Sequence, residues 1–342
     1  LKGLRMAQQY HALIIGGGGT GGALAHDLAL RGLKVTLVER GEVTSGTTGR
    51  HHGLLHSGAR YAVKDQESAR ECIEENQILR RIAPGSFEEN DGLFVAINEE
   101  EINYSHIFIE SCAECGIPTR RLTREQVLQL EPNLSPKTLL AVQVPDATMD
   151  AMRLPLRFFA TAKKNGAEIR TFTEVLGVHK NGGTVTGIHV RDHRTNTTYD
   201  LNADLVINAA GAWSGKIGAM AGADVPVRPS PGVMLALRGR LCNMVVNRMA
   251  PAGDGDIVVP QRGLSVVGTS SWLVDDPDDL TMPEDHIQRM YEEGAKLIPA
   301  VKQAPFRAAW SGARPLIGAR GNADSRDMTR TFKCFDHVDE GI

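Results

Sequence analysis

A short apolar run, Ala12-Leu13-Ile14-Ile15, ends in Gly16-Gly17-Gly18-Gly19-Thr20-Gly21, and that junction limits what the chain can become more than any other feature. Four apolar residues bounded by glycine predict a strand buried on both faces, the habit of parallel sheets. Gly16, Gly18 and Gly21 satisfy G-x-G-x-x-G, and Thr20 to Leu30 behind them reads as a helix rich in Ala and Leu. The first glycine permits a tight turn, the second lets a pyrophosphate approach the backbone, and the third lets helix and strand pack closely. A second strand is expected at Lys34 to Val38. It ends in Glu39, eighteen positions after Gly21, where a carboxylate accepts hydrogen bonds from both hydroxyls of an adenosine ribose and repels a 2′-phosphate. A glycine turn alone is weak evidence, because such turns occur in many folds. Strand, turn, helix, strand and acid within about thirty residues point to an FAD or NAD site, and a merely structural turn leaves Glu39 unexplained.

The segment from Glu42 to Tyr61 is too glycine-rich for a stable helix, yet it carries Ser45, Thr47, Thr48, Arg50, His51, His52, His56 and Arg60. These hydrogen-bonding groups suit a pyrophosphate and a polar ring system, and a featureless surface loop of this length is uncommon. With 342 residues the chain predicts about two domains. Its 42% apolar and 23% charged residues exclude a disordered polymer. A net charge of -3 leaves no basic footprint for nucleic acid, so any anionic ligand must be held locally. The five cysteines, Cys72, Cys112, Cys115, Cys242 and Cys334, are odd in number and scattered, which suits a reducing, cytoplasmic compartment. Cys112 and Cys115 form a C-x-x-C on an expected helix. Without a second pair nearby, a buried structural role outweighs a redox or metal one, and no metal site is expected. The uncharged stretch Ala12 to Ala25 has too many glycines to be a membrane span or signal core. The ends, Leu1 and Asp339-Glu340-Gly341-Ile342, read as cut rather than finished.

Further along, Gln66 to Arg81 has amphipathic helical spacing and is stopped by Pro84-Gly85. Residues 87–145 mix short strands and helices, with a capping box at Thr123 and Gln126. Helical spacing returns from Asp150 to Asn165, and Ala167 to Arg191 reads as two strands joined at Asn181-Gly182-Gly183. A buried strand at Asp204 to Asn208 leads into Ala209-Ala210-Gly211, where small residues allow the backbone close to a ligand. Between residues 224 and 310 short strands dominate, at Val225 to Arg228, Val233 to Arg238, Ile257 to Pro260 and Leu264 to Gly268. One helix interrupts them, announced by a capping box at Thr281 and Glu284 with Pro283 in its first turn. No internal repeat, low-complexity tract or charge block occurs.

Seven motifs then stand in a telling order: Gly49-Arg50-His51-His52-Gly53-Leu54-Leu55-His56-Ser57-Gly58-Ala59-Arg60-Tyr61, Glu67-Ser68-Ala69-Arg70-Glu71-Cys72 with Glu75-Asn76-Gln77, Val144-Pro145-Asp146, Asn208-Ala209-Ala210-Gly211-Ala212-Trp213, Gly268-Thr269-Ser270-Ser271 and Ser311-Gly312-Ala313-Arg314-Pro315-Leu316. With them the sequence resembles the FAD-dependent glycerol-3-phosphate dehydrogenases of the D-amino-acid-oxidase-like group, most like the catalytic chain of the anaerobic enzymes, through nearly its whole length. The resemblance implies an α/β fold: an FAD-binding Rossmann-like domain of the glutathione-reductase type, with an inserted α+β substrate domain on an antiparallel sheet. Its expected bounds are 1–86, 146–223 and 311–342 for the FAD-binding domain, and 87–145 and 224–310 for the substrate domain. The implied cofactor contacts are Gly16, Gly18, Thr20, Gly21, Glu39, Arg40, Ser45, Thr47, Thr48, His52, Leu54, Val175, Ala209, Ala210, Gly211 and Trp213. In that family the chain continues into a glycine-glycine-lysine segment and, in the anaerobic enzymes, into a cysteine-rich C-terminal domain, and this sequence stops before both.

The implied chemistry is oxidation of sn-glycerol 3-phosphate to dihydroxyacetone phosphate by hydride transfer to flavin N5, while a base takes the hydroxyl proton. His56 is the expected base, since imidazole titrates near working pH, with His52 next. For the phosphate, Arg60 and Arg314 offer planar forks and Tyr61 a hydroxyl, with Arg314 also counted as catalytic. Arg248 is a further candidate for this clamp, against which stands an ordinary surface role. By the same resemblance electrons leave through partner subunits to a quinone, and the protein is cytoplasmic, held to the inner face of the membrane only through those partners. Two alternatives stay open: an FAD-dependent amine or 2-hydroxy-acid oxidase or dehydrogenase on the same scaffold, and a non-catalytic FAD-binding assembly subunit.

Overall fold

A computed structural model describes residues 10–318 and 328–337. The apolar run forms the strand His11–Ile15, which lies between the parallel strands Leu205–Asn208 and Lys34–Val38, with Glu168–Arg170 beyond the latter. Its alternate side chains explain why it is apolar throughout. Ile14 packs with Val35 and Leu37 against Ala25 and Ala29 of the helix Gly19–Leu30 and Phe159 and Ala162 of the helix Arg153–Lys164. Leu13 and Ile15 turn to the other face, where they meet Val175, Ile188 and Val190. Those three come from an antiparallel sheet of Thr173–Asn181, Thr184–Asp192 and Thr197–Asn202. A strand covered by helices on one side and a sheet on the other must be hydrophobic at every position. The third strand of that sheet is too polar to have been read from its residues, because one of its faces is open to water.

Among the described residues this unit comprises 10–49, 152–228 and 333–337. The second comprises 50–151, 229–318 and 328–332. Residues 50–86, expected with the cofactor domain, pack with the second unit, since Ala69 and Ile73 of the helix Gln66–Ile82 join Phe94, Phe108 and Val142 in one apolar cluster.

The second unit is built on an eight-stranded sheet in the order Phe306–Ile317, Val227–Arg238, Leu264–Gly268, Ile257–Gln261, Val245–Arg248, Gly92–Ala96, Leu140–Val144, Arg120–Thr123. Within it Val245–Arg248 and Gly92–Ala96 run parallel. Two strands expected around Pro229 and Pro231 are one, Val227–Arg238. The prolines lack donors, but their carbonyls accept from Val274 N (3.1 Å) and Trp272 N (3.3 Å), so the extended path continues. The helix Arg124–Leu130 opens on the expected capping box, with Thr123 Oγ1 accepting from Gln126 N and Gln126 Oε1 from Thr123 N. The box at Thr281 and Glu284 does not form. That helix, Glu284–Leu297, starts after an extended Pro283, so Glu284 is its first residue and cannot fold back on Thr281.

Leu13→Ala empties a site on the fully covered strand and should cost about 2–5 kcal/mol, whereas Leu30→Ala, at a position 54% exposed, should cost little. Urea midpoints followed by circular dichroism check the contrast.

Candidate functional site

In the first unit the glycine turn is compressed to contact. A Cβ on Gly21 would stand 1.9 Å from Gly16 O, and one on Gly16, whose φ is +111°, would stand 2.5 Å from Ala209 O. The helix behind has Gly18 at its N-cap with no side-chain cap and no acid in its first turn, so its end presents donors and positive potential to an anion. Glu39 does reach this turn: Oε2 accepts from Gly17 N (2.7 Å) and Oε1 from Gly41 N (2.9 Å). Thr48 Oγ1 accepts from Gly19 N at 2.9 Å, and Thr44 N donates to Gly17 O at 2.8 Å. Thr20 is exposed on the first helical turn, Thr47 begins the turn Thr47–Arg50, and Ser45 lies against Gly41.

Ala209 N is tied to Ile15 O at 2.9 Å and Ala210 N to Asn208 Oδ1 at 3.2 Å, and Gly211 has room around it. Trp213 ends the short turn Gly211–Trp213, with the Arg40 guanidinium 4.6 Å above its ring. Val175 buries its side chain among Leu13 and Ile15, leaving only its main chain to offer a cofactor. Thr44 Oγ1 and Trp213 Nε1 are buried without hydrogen-bond partners. Orphaned polar atoms of that kind are costly, and beside a glycine turn whose helix carries no acid in its first turn they fit a polar dinucleotide.

The second unit gathers a different chemistry. Ser57 N donates to Asp146 Oδ1 at 2.7 Å, and Gln261 Nε2 donates to the carbonyls of His52 (3.0 Å), Gly53 (3.1 Å) and Met149 (3.0 Å). These bonds pin the loop that holds the expected residues. The His52 and His56 rings are 5.8 Å apart and those of His56 and Tyr61 5.6 Å apart. His52 and Leu54, expected as cofactor contacts, belong to this unit, and Leu54 packs with Val245, Ile257 and Val259. His52 Nδ1 is buried with no partner.

Arg60 pairs with Asp256 at 2.6 Å. Burial lowers its pKa, but the carboxylate more than reverses this and leaves it above the ordinary value. Arg314 is different. Its acceptors are neutral: the carbonyls of Ser230 (3.3 Å), Pro231 (3.4 Å) and Ser270 (3.4 Å), and Thr269 Oγ1. Burial, with the repulsion of Arg330 and Arg60 behind it, brings its pKa down to about 10. A Cβ on Gly232 would lie 2.6 Å from Arg314 Nη2, so the guanidinium occupies space only glycine leaves. Arg330 has no motif around it and is not found by sequence reasoning. Its charge reaches both Tyr61 and Arg314, and its backbone N is held by Asp65 Oδ2 at 3.1 Å.

Two expectations need correcting. Arg248 brings no uncompensated charge to an anion clamp, because its guanidinium pairs with Glu101 at 2.7 Å and Glu293 at 3.6 Å. His56 does not titrate near neutrality in the unliganded chain: burial, then the charge of Arg60, lowers its pKa to about 3. The C-x-x-C cysteines are packed in the apolar cluster with Phe108 and Ile117, and burial raises the Cys112 thiol to about 12, consistent with an inert role.

A family model described as FAD dependent oxidoreductase matches residues 11–332. The chain belongs to this family. It is 44% identical over 346 residues to one chain of the anaerobic glycerol-3-phosphate dehydrogenase of Haloferax volcanii, covering 98% of this chain and 59% of that protein. To the corresponding chain of the anaerobic glycerol-3-phosphate dehydrogenase of Escherichia coli strain K12 it is 41% identical, covering 98% and 62%. Both relatives are named as subunits of their enzymes. The present chain therefore spans about three fifths of the length of the curated relatives it matches. In fold it is similar to the FAD-bound, dithionite-reduced L-α-glycerophosphate oxidase of Mycoplasma pneumoniae, with a TM-score of 0.76 at 21% identity over 92% of this chain and 85% of that one. FAD is the cofactor of the family, and the glycine turn, Glu39 and the orphaned Thr44 and Trp213 atoms fit it.

Glu39→Ala removes the carboxylate that accepts from Gly17 N and Gly41 N and shapes the turn, and should weaken FAD binding about 10- to 100-fold, roughly 1.4–2.8 kcal/mol, measured by quenching of flavin fluorescence. A second expectation concerns acid. Unfolded imidazole takes up a proton near pH 6.5, while folded His56 stays neutral until about pH 3. The unfolded state binds more protons across that window, so stability falls as pH drops through it. Urea midpoints of apo protein between pH 6.5 and 4 should decline, and less steeply in His56→Asn.

Proposed function

We propose that the protein oxidises sn-glycerol 3-phosphate to dihydroxyacetone phosphate, with the glycine turn and Glu39 holding the dinucleotide end of FAD and Arg314, Arg330, Tyr61 and Arg60 serving the substrate. One observation carries this reading: Arg314 is a largely desolvated cation with no carboxylate partner among the described residues, and Arg330 is near enough to repel it. Keeping a cation without a carboxylate in a desolvated place, with a second positive charge nearby, is costly, and a dianionic phosphate repays that cost better than a single carboxylate. Arg314 and Arg330 clamp the phosphate, and Tyr61, whose phenol burial keeps protonated, donates to it. Arg60, whose charge Asp256 compensates in part, adds directed N–H groups.

Flavin, when bound, supplies the acceptor for the hydride leaving the carbinol carbon. His56 takes the hydroxyl proton on its unprotonated ring nitrogen. Its low pKa makes it a weak base in the empty site, and an arriving phosphate offsets the Arg60 charge that helps hold it down. His52, oriented through its backbone by Gln261, buttresses the His56 ring. The names of the Haloferax and Escherichia relatives support partner chains for this protein as well. We read those partners as carrying electrons to a quinone at the cytoplasmic face of a membrane. None of the described helices is long and apolar enough to cross one.

Mixing the flavin-loaded protein with sn-glycerol 3-phosphate should bleach the flavin absorbance, and glycine or 2-hydroxyglutarate should not. The reverse order favours an amine or hydroxy-acid enzyme, and no bleaching by any of them favours a non-catalytic role. Arg314→Ala should lower kcat/KM for glycerol 3-phosphate about 10³-fold, roughly 4 kcal/mol, as expected when a buried charge loses its partner.

A further inference from the structure

On the solvent face of the three-stranded sheet in the first unit, three side chains converge that the proposed reaction does not use. His179 lies on Thr173–Asn181, His189 on Thr184–Asp192 and Asp200 on Thr197–Asn202. His179 Nε2 is 2.8 Å and His189 Nδ1 2.7 Å from the same oxygen, Asp200 Oδ1, and the three donor atoms all lie within 4.8 Å of one another. Register explains the convergence. His189 is directly opposite Asp200, while His179 faces Gly187 and His189 faces Gly177, so the two imidazoles lie on a diagonal whose other corners carry no side chain. A Cβ on Gly177 would meet nothing within 4 Å, which leaves open space beside the group. The opposite face of the same strands is core, with Val178, Ile188, Val190 and Leu201 turned inward.

We propose that His179, His189 and Asp200 bind a divalent transition-metal ion of the Zn²⁺ type, independently of the substrate reading above. Two imidazole nitrogens and one carboxylate oxygen are the donor set that borderline ions prefer, and hard ions such as Mg²⁺ and Ca²⁺ favour oxygen alone. Bonds of about 2.0–2.2 Å to each donor set a donor separation of roughly 3.3 Å. The present spacings of 2.7 and 2.8 Å need only modest side-chain rotation to reach it, and the partial exposure of all three residues leaves the fourth position to water. Each ligand comes from a different strand, so the ion ties all three strands of the sheet together. Hydrogen bonding alone accounts for the pairing of each histidine with Asp200, but a sheet so held gains nothing from added Zn²⁺.

The test is Zn²⁺ titration of the 342-residue chain against a chromogenic chelator, with thermal unfolding alongside. One equivalent should bind with a dissociation constant of about 10 μM or tighter and raise the melting temperature. His179→Ala, His189→Ala and Asp200→Asn, exposed substitutions whose circular dichroism should match the parent, should each weaken that equivalent at least tenfold and abolish the rise. Unchanged affinity in all three variants, or no equivalent tighter than about 100 μM in the parent, overturns the proposal.

Discussion

The missing side chain at Gly21 is the constraint on which the first unit depends. With 1.9 Å between its would-be Cβ and Gly16 O, the helix Gly19–Leu30 can lie against the strand His11–Ile15 only if that position is glycine. The close approach sets the seat of Gly22 against Phe159 and so the packing of the two helices, and it aims an uncapped helix end at the space beside Glu39. The packing of helix on strand and the placing of the helix end beside Glu39 therefore rest on the same absent methyl group.

In the second unit the governing term is desolvation. It depresses His56 and Arg314, raises Tyr61, and makes an unpaired guanidinium costly to keep. Arg60 escapes because Asp256 stands beside it. Arg314 has no carboxylate beside it among the described residues, and this separates it from the arginines whose charge is satisfied at rest. The surface pair His179 and His189 lies under the opposite regime. Water keeps their site inexpensive to maintain, and what organises it is sheet register rather than burial.

Much of this is legible along the chain, for identifiable reasons. The strand, glycine turn, helix and Glu39 fall within a short stretch, and their hydrogen bonds are local, from Glu39 to Gly17 and Gly41. The Thr123 capping box is equally local and forms, while the one at Thr281 fails because Pro283 is extended and delays the helix. Arg248 looks like any other clamp candidate, since nothing near it in sequence announces Glu101, 147 positions away. Arg330 carries no motif at all. The titration expected of His56 assumes water around the ring, and burial is a property of the packed chain.

The sequence by itself determined the parallel-sheet architecture, the dinucleotide turn and the family, because periodicity, glycine spacing and short motifs are written in neighbouring residues. Only the tertiary structure decided which charges remain uncompensated and which imidazoles stay neutral. Those outcomes depend on partners such as Asp256, 196 positions from Arg60, and on how much water packing removes, and neither quantity exists until distant segments meet.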